Sequence, residues 1–304
     1  MKTRLWNMCV DLVLLPLVGL VAFMLIWQGV SSATYDAKRG KNDFPSPVAT
    51  FQASSKYLAH PFTKGEDGEL DGLGLQVLYS LWLVARGYLV AIVVAVPIGF
   101  ALGASKSFTK CFDPVFQVLR PVSPLAWYPL AGVITLSIRK HNNTFDATTW
   151  QCILTIGICA LWPTVLNTAV GVRAIPQDYL NVAKVLRLGK VKTLAKIMFP
   201  AALPYMFTGF RLSLGIAWLV IVAAEMLSGK TGIGAFVNDC YQTGDYGSMI
   251  TAIGLIGIVG FILDRLMTVV EKNVDWILGI PGLLMRIIRG GSGSRGREVA
   301  HVPA

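Results

Sequence analysis

The sequence predicts an all-α integral membrane protein of six transmembrane helices with both termini on the cytoplasmic side. Three observations carry that expectation. Of 304 residues, 54% are hydrophobic and only 14% charged. Apolar stretches long enough to cross a bilayer recur along the chain, and the basic residues collect in alternate connections between them. Soluble domains carry about 25% charged residues, so the composition alone points to lipid.

A helix needs about 20 residues, rising ~1.5 Å each, to cross ~30 Å of hydrocarbon. Six stretches qualify, roughly 8–29, 75–104, 112–138, 149–171, 204–228 and 247–270. The first is preceded by Lys2 and Arg4 and followed by Ser31-Ser32-Ala33, which resembles a cleavage site. Its length and the spans that follow favour a retained helix over a signal peptide. The third contains Pro121, Pro124 and Pro129. Each lacks a donor and crowds the preceding turn, so a bend or break is expected there.

Orientation follows from charge. Lys2 and Arg4 precede the first span, and Lys106 and Lys110 fall between the second and third. Arg173, Lys184, Arg187, Lys190, Lys192 and Lys196 lie between the fourth and fifth, and Lys272, Arg286, Arg289, Arg295 and Arg297 follow the sixth. Six spans put all four groups on one side, which is cytoplasmic by the distribution of Lys and Arg. The chain then divides into an N-terminal span (1–30), an outer loop of expected irregular structure (31–74), a five-helix core (75–270) and a cytoplasmic tail (271–304). Within the tail, Trp276 to Arg289 reads either as a short amphipathic helix in the interface or as a solvated tail with no role, ahead of a Gly/Ser/Arg-rich end.

Several function classes are excluded. The net charge of +10 sits in short loops without interleaved aromatics, which speaks against nucleic-acid binding. Cys9, Cys111, Cys152, Cys159 and Cys240 show no CxxC spacing, and His60, His141 and His301 are far apart. No metal site is expected from them, and a Cys152–Cys240 bridge is a remote alternative. Ser228-Gly229-Lys230-Thr231 resembles the end of a phosphate loop, but Ala224 stands where its first glycine belongs. No catalytic constellation appears, so the chain is expected not to be an enzyme, and any ATP and magnesium would be bound by a partner.

The connection between spans four and five is unusual. Apolar residues recur at helical spacing from Asp178 to Leu186 and again from Lys190 to Phe199, before Pro200-Ala201-Ala202-Leu203-Pro204. A short basic helix at the membrane surface, broken at those prolines, is expected, with an apolar face suited to a partner's groove. This segment, 178–203, resembles the cytoplasmic signature of permease subunits of bacterial ABC importers: Glu-Ala-Ala, three residues, Gly, nine residues, Ile-x-Leu-Pro. Asn181 and Val182 stand at the Glu and first Ala, Ala183 at the second, and Arg187 at the Gly with Gly189 two residues on. Ile197, Phe199 and Pro200 close the motif.

Further likeness lies in Gln117 to Trp127, in Asn167 to Val172, in Ile175 to Tyr179, and in Tyr205 to Gly209 running on to Leu227. These resemble the nitrate, sulfonate and bicarbonate branch, nitrate permeases most. The resemblance implies a type I (MetI-like) permease fold in a bacterial inner membrane. It also implies two permeases, a homodimer being expected, and separate ATPase subunits docking on 178–203. A periplasmic or lipid-anchored solute-binding protein is a further implied partner, and the substrate is a small anion. Nitrate or nitrite is the expected substrate, with bicarbonate, cyanate or a sulfonate such as taurine as the alternative. A secondary transporter or channel working without ATP is the reading from a different class.

Charged residues inside spans cost about 2.5–3.5 kcal/mol each on insertion scales and so mark candidate pathway positions. Arg86 lies in span two, Arg211 and Glu225 in span five, Asp264 and Arg265 in span six. Arg211, Trp218 and Glu225 recur every seven residues, forming a stripe ~21 Å long that drifts only ~20° per step. Gly209, Ser213 and Ala217 form a second, small-residue face for helix packing. Ser123 and Trp127, beside the prolines of span three, complete the candidate lining. The coupling expectation has a direct test: Ala183→Glu should abolish uptake while the protein remains in the membrane, and normal uptake would put the docking surface elsewhere.

Overall fold

The computed structural model describes residues 14–36, 41–42, 44–63, 72–140 and 146–273. The start of the first span, Lys2, Arg4, Cys9, outer-loop residues 64–71 and the segment from Trp276 to Arg289 expected to be helical lie outside the described residues. The helices are α1 (Leu15–Ala33), α2 (Pro47–Ala59), α3 (Leu73–Ala104), α4 (Lys106–Leu119), α5 (Pro124–Arg139) and α6 (Ala147–Arg173). They continue as α7 (Gln177–Val185), α8 (Lys190–Thr193), a π-helical turn (Leu194–Met198), α9 (Phe199–Ser228), α10 (Ile233–Thr243) and α11 (Tyr246–Lys272). Two-residue strands β1 (Tyr35–Asp36) and β2 (Lys41–Asn42) pair antiparallel after α1. Among the described residues five helices are long and apolar enough to cross a membrane, or six if the pair α4–α5, bent by 105°, counts as one broken span.

The bend falls where the prolines predict it. Ser123 caps α5 by accepting from the Leu125 N–H at 3.3 Å, and Pro124 takes the first helical position, where a missing donor costs nothing. Two other expectations change. The outer loop is not wholly irregular: Ser46 accepts from the Ala49 N–H at 3.2 Å and Pro47 opens α2, a capping signal legible in Ser-Pro. Nor is the chain broken at Pro200–Pro204. The Phe199 N–H donates to Leu194 O, five residues back, and this wide turn lets Pro200 enter α9 without the usual clash.

The chain divides into two compact units, 1–79 with 225–257, and 80–224 with 258–304. In the first, α1 is tied to the loop by Trp27 Nε1 donating to Pro45 O at 3.0 Å and Ser31 Oγ to Phe44 O at 2.9 Å. Helix α2 packs on α11, where Ser54 Oγ donates to Thr251 Oγ1 at 2.5 Å and Gly247 lies against Ala53. Tyr57 meets Phe236 of α10 edge to face, with ring centroids 5.1 Å apart.

In the second unit α6 is the central helix. Gly87, Gly99 and Gly103 of α3 press their backbones against Ile156, Thr168 and Val172. Ala91 and Ala95, at 1% and 0% exposure, fill the four-residue steps between them. On α9, Gly209 lies against Pro163, Thr164 and Asn167, and Ser213 Oγ bonds Thr164 Oγ1 at 2.8 Å and the Ala160 carbonyl. Ala217 is fully buried, so the small face expected on span five is a packing face. Gly99→Leu should therefore force α3 from α6 at about 1–3 kcal/mol and lower the melting temperature of the detergent-solubilised protein. Gly215→Ala, at a position with open space, should leave it unchanged.

Candidate functional site

The second unit holds a cavity of about 790 Å³ between the α4–α5 bend, α6 and α9. Its walls are mostly apolar: Trp162, Leu166, Leu212, Ile216, Leu219 and Val220. Its polar groups are few, namely Arg120, Ser123 and Asn167, with the Cys159 thiol beside them. Pro121, Val122, Pro124 and Leu125 bring the first turn of α5 to the same wall. A helix start carries a partial positive charge, so this end and the Arg120 guanidinium favour an anion. Asn167 Nδ2 donates to Pro163 O at 2.8 Å, which fixes the amide across the turn made by that proline.

Of the pathway residues read from the sequence, Ser123 lines this cavity. Trp127 lies one turn further along α5, half-buried, with an indole N–H that meets no acceptor among the described residues. Arg86 is exposed and stacks its guanidinium 4.5 Å above the Trp82 ring on α3. Arg211, Trp218 and Glu225 do not share one set of partners. Arg211 pairs bidentately with Asp264 of α11, Nε to Oδ1 at 2.7 Å and Nη2 to Oδ2 at 3.0 Å. Glu271 lies 3.6 Å from its Nη1 and accepts from Thr208 Oγ1 at 2.8 Å. Trp218 is 3% exposed and packs over Gly260, which leaves little room for a side chain there. In the first unit, the Glu225 carboxylate is buried and accepts from the Gly234 N–H at 2.9 Å.

Sequence reasoning gave no pathway role to Arg120, Cys159 or Asn167. The available signals were an arginine beside the breaking proline and an asparagine inside an apolar span. The cysteines are separate: Cys111, Cys152, Cys159 and Cys240 are all free thiols. Among the described residues no cluster of His, Cys, Asp or Glu could hold a metal.

The segment after α6 has its own geometry. Helix α7 ends in paired bonds, the Arg187 N–H to Lys184 O at 3.0 Å and the Leu188 N–H to Ala183 O at 2.9 Å. This is the Schellman ending, whose pivot takes a left-handed backbone and favours glycine. Arg187, at φ 49°, is that pivot, so the position where the importer signature has glycine is one that demands it physically. Gly189, Lys190 and Lys192 are exposed, whereas Ile197 and Pro200 are half-buried and Phe199 stacks on Phe100.

Asn181 and Val182 are exposed as well. Ala183, read from the sequence as a groove contact, is instead 3% exposed and packed within the chain. A glutamate there would disturb the seat of α7 itself. The uncovered apolar face is Val182, Val185, Leu186 and Val191, at 53%, 82%, 63% and 78% exposure.

The Arg211–Asp264 pair generates a test. Arg211→Asp should lower the melting temperature of the purified protein by bringing three carboxylates together. Adding Asp264→Arg should recover much of the loss, and a double variant no more stable than the single would show the pair to be incidental.

Comparison with known proteins assigns the chain. The bicarbonate transport system permease protein CmpB of Synechococcus elongatus is 41% identical over 277 residues, covering 90% of this chain and 92% of that protein. The nitrate import permease protein NrtB of the same species is 43% identical over 262 residues, covering 85% and 88%. That of Synechocystis is 40% identical over 263 residues, covering 86% and 89%. Residues 87–276 match the family described as binding-protein-dependent transport system inner membrane component, and with five or six apolar spans among the described residues the chain belongs to that multi-pass membrane permease family.

Proposed function

We propose that this chain is the membrane-spanning permease of an ATP-driven importer of a small planar anion, nitrate foremost. It works by alternating access as one of two identical permeases, with separate ATPase subunits and a solute-binding component. The observation that carries the reading is the 790 Å³ cavity, whose Arg120, Ser123 and Asn167 stand among apolar walls in a member of this family. An arginine with a planar, weakly hydrated donor fork suits an anion that must bind transiently. The start of α5 adds a fixed partial charge without a second cation, so the anion is attracted but not trapped.

Bicarbonate is the second reading, because relatives named for bicarbonate match as much of the chain as those named for nitrate. Both anions are planar and singly charged, and the cavity's polar groups suit either. The deciding measurement is uptake in proteoliposomes holding the permease with its ATPase and binding component. ATP-dependent accumulation of isotopic nitrate but not bicarbonate supports the first reading, and the reverse supports the second. Accumulation by the permease alone would remove ATP coupling altogether.

In this reading α7 and the following turn face the cytoplasm and dock the ATPase through Val182, Val185, Leu186 and Val191. The π turn then joins that surface to α9, so a push on α7 reaches the wall made by Leu212, Ile216 and Leu219. Leu186→Asp places a charge in a desolvated contact, and ATP-driven uptake should fall by about tenfold or more with unchanged amounts of protein in the membrane. Wild-type uptake by that variant would move the docking surface elsewhere.

A further inference from the structure

We infer that Glu225 is a positioning residue, a latch that holds the start of α10 against the end of α9 and so fixes the polar cleft built on α10. The residues concerned all belong to the first unit. Glu225 lies one turn before Ser228, the last residue of α9, and is 1% exposed. A carboxylate so deeply buried needs compensation. It accepts from the Gly234 N–H at 2.9 Å, the second amide of α10, which runs for 11 residues from Ile233. The partial positive charge of that helix start adds to the bond.

The connection is shaped around the same group. Gly232, the residue before α10, has φ 144°, and a Cβ there would collide with the Glu225 carboxylate. Glycine is thus required twice, for its backbone angle and for the close approach. Once fastened, α10 buries Ile233, Phe236, Val237 and Cys240. It then supplies Phe236, Asp239, Cys240 and Thr243 to a cleft of about 520 Å³, which Lys230, Tyr57 and Gln76 help to close.

The seven-residue spacing on α9 marks Glu225 as a candidate pathway residue. Its acceptor bond into α10 gives it work that needs no contact with the transported anion, and this inference stands apart from the transport reading. Removing the carboxylate leaves the Gly234 N–H buried without that acceptor, which should favour local opening of α10.

Cys240 reports that opening directly. Burial first, and then the Asp245 and Asp239 carboxylates, push its thiol up to about 11, so at neutral pH it reacts slowly while α10 is seated. The experiment uses the full chain in nanodiscs, with Cys9, Cys111, Cys152 and Cys159 replaced by alanine, and follows labelling of Cys240 by a hydrophilic maleimide. Glu225→Ala should speed labelling by about tenfold. Glu225→Gln, whose amide oxygen still accepts, should stay within about threefold of the parent. Labelling of Glu225→Ala at the parent rate would overturn the latch. So would an equal acceleration at Cys159, tested alone in a companion background, since Glu225 would then support the whole fold rather than α10. A chain that labels as expected but, in proteoliposomes with its ATPase and binding component, accumulates neither nitrate nor bicarbonate would leave the latch standing and remove the transport reading.

Discussion

The close seating of α6 between α3 and α9 is the interaction on which the second unit depends. In lipid, apolar surface gives helices little reason to associate, so van der Waals packing and interhelical hydrogen bonds must do it. Gly87, Ala91, Ala95, Gly99 and Gly103 recur every four residues on α3, a spacing that stacks them on one face. Their lack of bulk lets Ile156, Thr168 and Val172 of α6 approach the α3 backbone. On the other side Gly209 does the same for α9, and the Ser213 hydroxyl adds polar bonds to Thr164 and Ala160. Phe100, Val172, Ala202, Leu203 and Met206 then close a buried cluster between the three helices.

The cavity follows from that seating together with the proline break. A straight third span would continue α4 into α5 and carry Arg120 away with the helix. The 105° bend instead turns the start of α5 toward α6 and α9, bringing Arg120, Ser123 and Asn167 to one wall. Two of the charges inside the spans meet opposite partial or full charge, which lowers the cost of placing them there. Arg211 is neutralised by Asp264 and Glu271, and the Glu225 carboxylate is met by the start of α10. Both pairings link a residue of α9 to a later helix.

Much of this was legible in sequence where the physics is local. The spans follow from runs of apolar residues, and the bend from Pro121 and Pro124. The packing face of α9 follows from Gly209, Ser213 and Ala217. Less was legible where two opposing local signals met. Pro200 and Pro204 argue for a break, yet the π turn at Leu194–Met198 absorbs Pro200 and the helix runs on through Pro204 to Ser228. Ser46-Pro47 is a sound helix start, yet it sits in a loop between spans that the sequence marks as irregular.

What the sequence by itself determined is the class of protein and the family, because each depends on patterns within a few tens of residues. Which charges meet was decided only in three dimensions. The seven-residue spacing of Arg211, Trp218 and Glu225 puts them on one stripe of α9. It cannot say that Arg211 answers to Asp264, 53 residues later, or that the carboxylate of Glu225 belongs to the start of α10. Likewise Ala183 and Val182 are neighbours in a motif, and only the packing of α7 turns one inward and leaves the other exposed. Pairing across the chain is set by how helices seat against one another, and no local pattern carries that information.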